Sequence, residues 1–171
     1  MKSLNKKIDV LGKANSSIVI DFILRNEVVL VTGAAGQLGR AIVNGLMNQG
    51  SCIIAVDTSI ELLKECAQRD NWNKNRVVLE KCDITNRNDI INAMKTGTDA
   101  FNEITSLISN AGVSVFEPYL ERPEKSIDWV MDVNIKGTLL CIQEFIKHRK
   151  YYGGDGAIVN IASHYGIVSP D

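Results

Sequence analysis

The chain has 171 residues, of which 45% are hydrophobic and 23% charged, with a formal net charge of −1. That length favours one domain, able to bury roughly 70% of its unfolded surface without a metal or disulfide staple. The near-neutral balance gives no electrostatic footing for nucleic acid or an anionic membrane, and neither is expected as a partner.

In chain order, residues 1 to 21 form a polar extension that joins no pattern. Its lysines (Lys2, Lys6, Lys7) precede an apolar patch from Ile18 to Leu24, but Asp21 interrupts the patch and no small-residue cleavage site follows. The patch is too short to span a bilayer, so the expected location is the cytoplasm. From there β-rich runs alternate with helical segments. Strands are expected at Val28–Thr32, Cys52–Val56, Arg76–Leu79, Ser106–Ser109 and Ala157–Ala162. The first helix, Gln37–Gln49, places Leu38, Ile42 and Leu46 on one face. The second, Ile60–Arg69, aligns Leu63 with Ala67, and the third, Asn88–Ala100, aligns Ile91 with Met94. A long fourth helix, Ser126–Lys150, carries Ile127, Val130, Asn134, Gly137, Leu140 and Cys141 near one face. Five continuous apolar strands joined by helical crossovers predict an α/β, doubly wound parallel sheet of Rossmann type over residues 22–171.

Cys52, Cys66, Cys82 and Cys141 contain no C-x-x-C pair and read as small buried hydrophobes in a reducing compartment. His148 and His164 stand apart from any Cys/His cluster, so no metal site is expected.

The first strand runs straight into TGAAGQLGRA, where Thr32, Gly33, Gly36 and Gly39 give a T-G-x-x-G-x-x-G turn before an amphipathic helix. Glycines let the backbone close on a pyrophosphate, and the helix N-terminus offers N–H groups and a positive dipole end. Asp57 closes the second strand, where a carboxylate can accept both ribose hydroxyls of an adenosine and repel a 2′-phosphate. NAD is therefore favoured over NADP. Arg40, a basic residue near the turn, is a counter-signal. At the other end of the chain, Ser163 follows a buried-type strand at the sheet edge where open α/β folds place their ligands.

Taken in order, these motifs resemble the short-chain dehydrogenase/reductases from about Phe22 to Asp171. FILRNEVVLVTG is similar to the family's first strand, with Glu27 where a lysine is more usual. The resemblance implies that Asp83 and Ile84 of CDIT flank the adenine ring. It implies that Gly33, Gly36, Gln37, Leu38 and Gly39 hold the dinucleotide, and that Asn110, Ala111 and Gly112 of SNAG line it. Asn134 of MDVNIKGT and Ser163 of NIASHYG match the family's catalytic asparagine and serine. The sheet order would then be 3-2-1-4-5. Gln37 stands where the commonest form of the family has its second glycine, which leaves the subgroup open.

The resemblance further implies an oxidoreductase acting on a hydroxyl or carbonyl of a small-molecule substrate, with a tyrosine and a lysine four residues later moving the proton. No such pair exists here: Tyr119, Tyr151, Tyr152 and Tyr165 are followed at that distance by Pro123, Asp155, Gly156 and Ser169. The expectation is therefore an N-terminal portion of such an enzyme, with little activity alone, its fifth strand an exposed edge, and homo-oligomers belonging to the full-length form. SHYGIVSPD resembles a subset linked to surface-carbohydrate modification, which points to a sugar-derived substrate. The alternative is a non-catalytic dinucleotide-binding or interaction module.

Overall fold

The computed structural model describes residues 24–163; residues 1–23 and 164–171, and with them the N-terminal extension, Tyr165 and most of SHYGIVSPD, lie outside the described residues. In chain order the elements are β1 (Val28–Thr32), α1 (Gln37–Asn48), β2 (Cys52–Asp57), α2 (Ile60–Arg69), β3 (Val77–Lys81), α3 (Arg87–Phe101), β4 (Ser106–Ser109), α4 (Glu124–Met131), a π-helical turn (Asp132–Gly137), α5 (Thr138–Tyr152) and β5 (Ala157–Asn160). A short 3₁₀ turn, Tyr119–Glu121, precedes α4. The five strands form one parallel sheet in the order β3-β2-β1-β4-β5.

The order follows from burial. β1 is buried at all five positions and takes the centre, with β2 on one side and β4 on the other. Two apolar clusters cover its faces. Leu30, Ile54 and Leu107 pack with Ile90, Met94 and Phe145 from α3 and α5. Val29, Val31, Ile53 and Ala55 pack with Val43 of α1 and with Leu63 and Cys66 of α2. Polar bonds pin the N-terminal end of the sheet. Glu27, the departure at the start of the first strand, accepts hydrogen bonds from Thr105 Oγ1 (2.6 Å) and Ser106 Oγ (3.0 Å), joining the starts of β1 and β4.

Several boundaries and faces differ from expectation. β2 runs one residue further, to Asp57, which pairs with Lys81, and β3 is shifted to Val77–Lys81. β5 ends at Asn160, and all four of its residues are exposed because only β4 flanks it. On α1 the buried residues are Gly39 and Val43, while Leu38 is 51% exposed. Gly39 packs this helix so tightly on the preceding turn that its face rotates by one position. On α3, Ile90, Ala93 and Met94 are buried and Ile91 is exposed. The single long helix is in fact α4 and α5 joined through the π turn, with Ile127 exposed. The four cysteines are free thiols, with Cys66, Cys82 and Cys141 buried.

α5 is tied to the rest by ions as well as by apolar contact. Glu144, nearly buried, meets Arg87 of α3 and Lys147 (2.7 Å). Burial works to raise its pKa, but the hydrogen bonds from Lys147 and Arg87 win and hold the carboxyl below its ordinary value. Next to it, His148 Nε2 accepts the Ile104 N–H at 2.9 Å, capping the start of β4. Burial and the neighbouring Arg149 push the His148 pKa down, against the opposing pull of Glu103.

A protonated His148 has no lone pair at Nε2 to accept that bond. The unfolded chain binds the proton near ~6.5 and the folded chain only at lower pH, so stability rises with pH across that window. The bond's contribution is fully present above about pH 6.5 and is lost as pH falls below it. Thermal unfolding between pH 7 and pH 5 should show a drop in Tm that is smaller in His148→Gln, whose amide oxygen accepts the bond without titrating. Identical pH slopes in the two proteins would refute this.

Candidate dinucleotide and active site

β1 ends on Thr32, 1% exposed, and the chain must turn at once to start α1. Gly33 makes the turn at φ +64°, where a side chain is strained, and a Cβ there would stand 2.8 Å from Ala111 Cα. Gly39 lets α1 settle onto the turn, since a Cβ would collide with the Gly33 carbonyl. The turn is fastened to the loop after β4 by a reciprocal lock. Thr32 Oγ1 accepts from the N–H groups of both Asn110 and Ala111 (3.0 Å each). The Asn110 amide donates back to the carbonyls of Thr32 and Gly33 (3.0 Å each).

α1 is capped by Gly36 with no side-chain hydrogen bond and carries no acid in its first turn. α2 and α3 begin differently, with Ser59 and Asn86 as side-chain caps and Glu61 and Asp89 in their first turns. The N-terminus of α1 thus keeps its dipole and N–H groups for an anion in the cleft. At Gly36 an added Cβ would stand 3.3 Å from the Gly33 carbonyl, a tight contact within the turn itself.

A cleft of about 590 Å³ lies over these ends of the strands. Gly33, Gly36, Gln37, Leu38, Gly39, Asp57, Asp83, Ile84, Asn110, Ala111 and Gly112 all line it, so every residue expected to touch a dinucleotide lines one cleft. Asp57 Oδ2 accepts the Ala35 N–H (3.1 Å) and Oδ1 accepts the Ser59 N–H (3.3 Å), which holds the carboxylate beside the glycine turn. Asp83 does not cap α3, a role that falls to Asn86. Its Oδ1 instead accepts the N–H (2.9 Å) and hydroxyl (2.8 Å) of Thr85, folding CDIT against the cleft. Arg40, the counter-signal, is paired through Nε with Asp70 at 3.0 Å.

Asn134 sits in the π turn, and its side chain grips one residue twice. Its Oδ1 accepts the Val113 N–H and its Nδ2 donates to the Val113 carbonyl, both at 2.8 Å. This double backbone bond spans from the π turn to the loop after β4. Ser163 is exposed, three residues beyond the end of β5, with Ile161 between them forming part of the cleft wall. The cleft also takes Thr58, Cys82, Thr85, Val113, Trp129, Asp132 and Val133. Thr58 and Thr85 lie directly beside residues singled out by motif. Trp129 and Asp132 carry no local signal and arrive through the packing of α4. Cys82 is no nucleophile: burial, with Cys141 and then Asp89, Asp83 and Glu80 adding to it, pushes its thiol up to about 12. Among the described residues, none of Tyr119, Tyr151 and Tyr152 lines the cleft. No helix among the described residues is long and apolar enough to cross a membrane.

A glycine turn feeding an uncapped helix, a carboxylate at the second strand end and a parallel sheet in this order define a Rossmann-type domain. The chain belongs to the short chain dehydrogenase family, whose model it matches over residues 27–170. It is 29% identical to an NAD-dependent glycerol dehydrogenase of Listeria innocua over 88% of this chain and 58% of that one. It is 32% identical to a D-threitol dehydrogenase of Mycolicibacterium smegmatis over 91% of this chain and 59% of that one. Among solved structures, NAD+-bound xylitol dehydrogenase superimposes with a TM-score of 0.79 at 26% identity, over 85% of this chain and 56% of the other. A short-chain type dehydrogenase/reductase from Mycobacterium marinum, at 21% identity, shares the fold with a TM-score of 0.83 over 91% of this chain and 63% of its own. The chain spans less than two thirds of the length of these relatives.

Replacing Thr32 by Val removes the one side-chain acceptor of two N–H groups in the loop after β4. The expected cost is about 3 kcal/mol, or a Tm lower by roughly 6–12 °C in a domain of this size. A Tm within 2 °C of wild type would show that the lock contributes little.

Proposed function

We propose that the chain forms the NAD site of an oxidoreductase that acts on a hydroxyl or the corresponding carbonyl, the substrate being a polyol or sugar derivative. The observation that carries the cofactor reading is Asp57, held by the Ala35 N–H at the adenosine end of the glycine-lined cleft. An acceptor-only carboxylate matches a pair of ribose hydroxyls and opposes a 2′-phosphate, and the cation nearest the turn, Arg40, is engaged by Asp70. The substrate class rests on the glycerol, D-threitol and xylitol dehydrogenases that the chain is similar to.

Each residue then has a task its position suits. Gly33, Gly36, Gln37, Leu38 and Gly39 present backbone and the α1 N-terminus to the pyrophosphate. Ile84, 5% exposed, offers an apolar wall for adenine with Asp83 beside it. Asn110, Ala111 and Gly112 close the floor between the two strand ends. NAD, when bound, supplies the hydride acceptor for oxidation of a C–OH group. Ser163 orients the substrate oxygen, and Asn134 keeps the Val113 loop in place beneath the reacting end. Purified wild type should bind NAD, and Asp57→Ala should weaken it at least about tenfold in a calorimetric titration, the scale of lost hydrogen bonds to a charged group. Unchanged affinity would count against the cofactor assignment.

The lack of a tyrosine with a lysine four residues on favours a second reading for these 171 residues, a module that binds dinucleotide without turning substrate over. General acid–base help contributes on the order of 10²–10⁴ in rate. NAD reduction with polyols should therefore run at least about 100-fold below the ~1–10³ s⁻¹ typical of enzymes. Turnover within that range by the 171-residue chain would refute the expectation and dispose of the second reading.

A further inference from the structure

We propose that Asp70 sets the dinucleotide preference of the cleft by holding the Arg40 guanidinium away from the adenosine ribose; this rests on the NAD-site reading above. Arg40 lies one helical turn below the lip of the cleft, its N–H donating to the Gly36 carbonyl at 2.9 Å. A guanidinium there is the natural partner of a 2′-phosphate, which it can bind through two parallel N–H bonds. Instead, Arg40 Nε meets Asp70 Oδ2 at 3.0 Å.

Asp70 is built to stay where it is. The same oxygen accepts from Asn44 Nδ2 at 2.8 Å, and the other lies 3.5 Å from Arg69 Nε. Asn44 is fixed in turn by buried Trp72, whose Nε1 donates to its Oδ1 at 2.6 Å. The Asp70 side chain is only 15% exposed, so water screens the pair weakly.

This cluster connects to the adenosine end through a chain of contacts. Arg69 Nη2 donates to Cys66 Sγ (3.5 Å), Cys66 Sγ approaches the Ala35 carbonyl (3.7 Å), and the Ala35 N–H donates to Asp57 (3.1 Å). Three contacts thus separate the ribose-reading carboxylate from Arg69, the second arginine paired with Asp70, while Arg40 joins the turn through its backbone N–H on Gly36. NADP meets two obstacles: a carboxylate that repels its extra phosphate and a cation withheld from it.

The test is titration of NAD and NADP, followed by tryptophan fluorescence and calorimetry, with Tm recorded for each variant. In an Asp57→Asn background, which removes the repulsion, adding Asp70→Asn should raise NADP affinity about tenfold, the scale of one charge-assisted hydrogen bond, and leave NAD affinity within twofold. Asp70→Asn keeps an oxygen for the Asn44 amide. Adding Arg40→Gln should abolish the gain. With Asp70 intact, Arg40→Gln in the Asp57→Asn background should leave NADP affinity unchanged, an arm that needs no change at Asp70. Equal NADP affinity with and without Asp70→Asn in folded proteins overturns the proposal, as does a gain that survives Arg40→Gln or an intact-Asp70 protein that loses NADP affinity on Arg40→Gln. Wild type that binds neither dinucleotide, or both equally, overturns the NAD reading itself and the inference with it.

Discussion

The floor of the cleft is placed by the reciprocal hydrogen bonding of Thr32 with Asn110 and Ala111. Parallel strands end with their last polar groups unpaired, and here two loops of different origin must meet over those ends. One hydroxyl takes two N–H groups of the loop after β4, and one amide returns two N–H bonds to the carbonyls after β1. Thr32 is buried and Asn110 half-buried, so much of the gain is the desolvation cost avoided at the enclosed hydroxyl. With that spacing set, Gly33 can pass within contact of Ala111 only because it has no side chain. The glycine turn and the SNAG loop therefore form one rigid floor.

The same device recurs outward from this point. Asn134 clasps both backbone groups of Val113, the residue immediately after the floor, and so fixes the loop to the α4–α5 helix pair. A π turn at Asp132–Gly137 accompanies it, and Gly137 brings the helix against Ile84 of the opposite wall. At the far end of the sheet, Glu27 and Thr105 join β1 to β4. Apolar burial orders the middle of the sheet, whereas specific polar pairs determine where its two ends stand.

Fold class was legible because apolar strand runs alternate with helical segments, and the strand order followed from the family resemblance that the ordered motifs carry. The place of Asp57 beside the glycine turn was legible because it closes the second strand run. What remained hidden depended on partners distant along the chain. Leu38, Ile42 and Leu46 share a helical face, yet the tight seat of Gly39 on the turn buries Val43 and exposes Leu38. DVNIKG has no local mark of a π turn. Arg40 read as a cation available to phosphate, and only the return of the chain after α2 brings Asp70 against it. Charge near a site is visible in a sequence; whether that charge is already spent is not.

The two functions drawn from this cleft stand on unequal supports. The dinucleotide side rests on β1 and β2, buried strands flanked by helices whose side chains interlock. Ser163 rests on β5, whose residues are exposed and whose sheet bonds go to β4 alone. Its backbone path is held by the Ile161 N–H on the Ser109 carbonyl (2.9 Å) and by Gly156 packed against Phe145 and Arg149. An edge strand with Ile158, Val159 and Ile161 exposed has the lowest local opening cost in such a sheet, because few apolar contacts are lost when it lifts. Within these residues the geometry that would orient a substrate is softer than the geometry that would hold the nucleotide. The floor draws its hydrogen bonds from Thr32, Asn110 and Ala111, and β5 meets it only through the neighbouring Ser109 carbonyl.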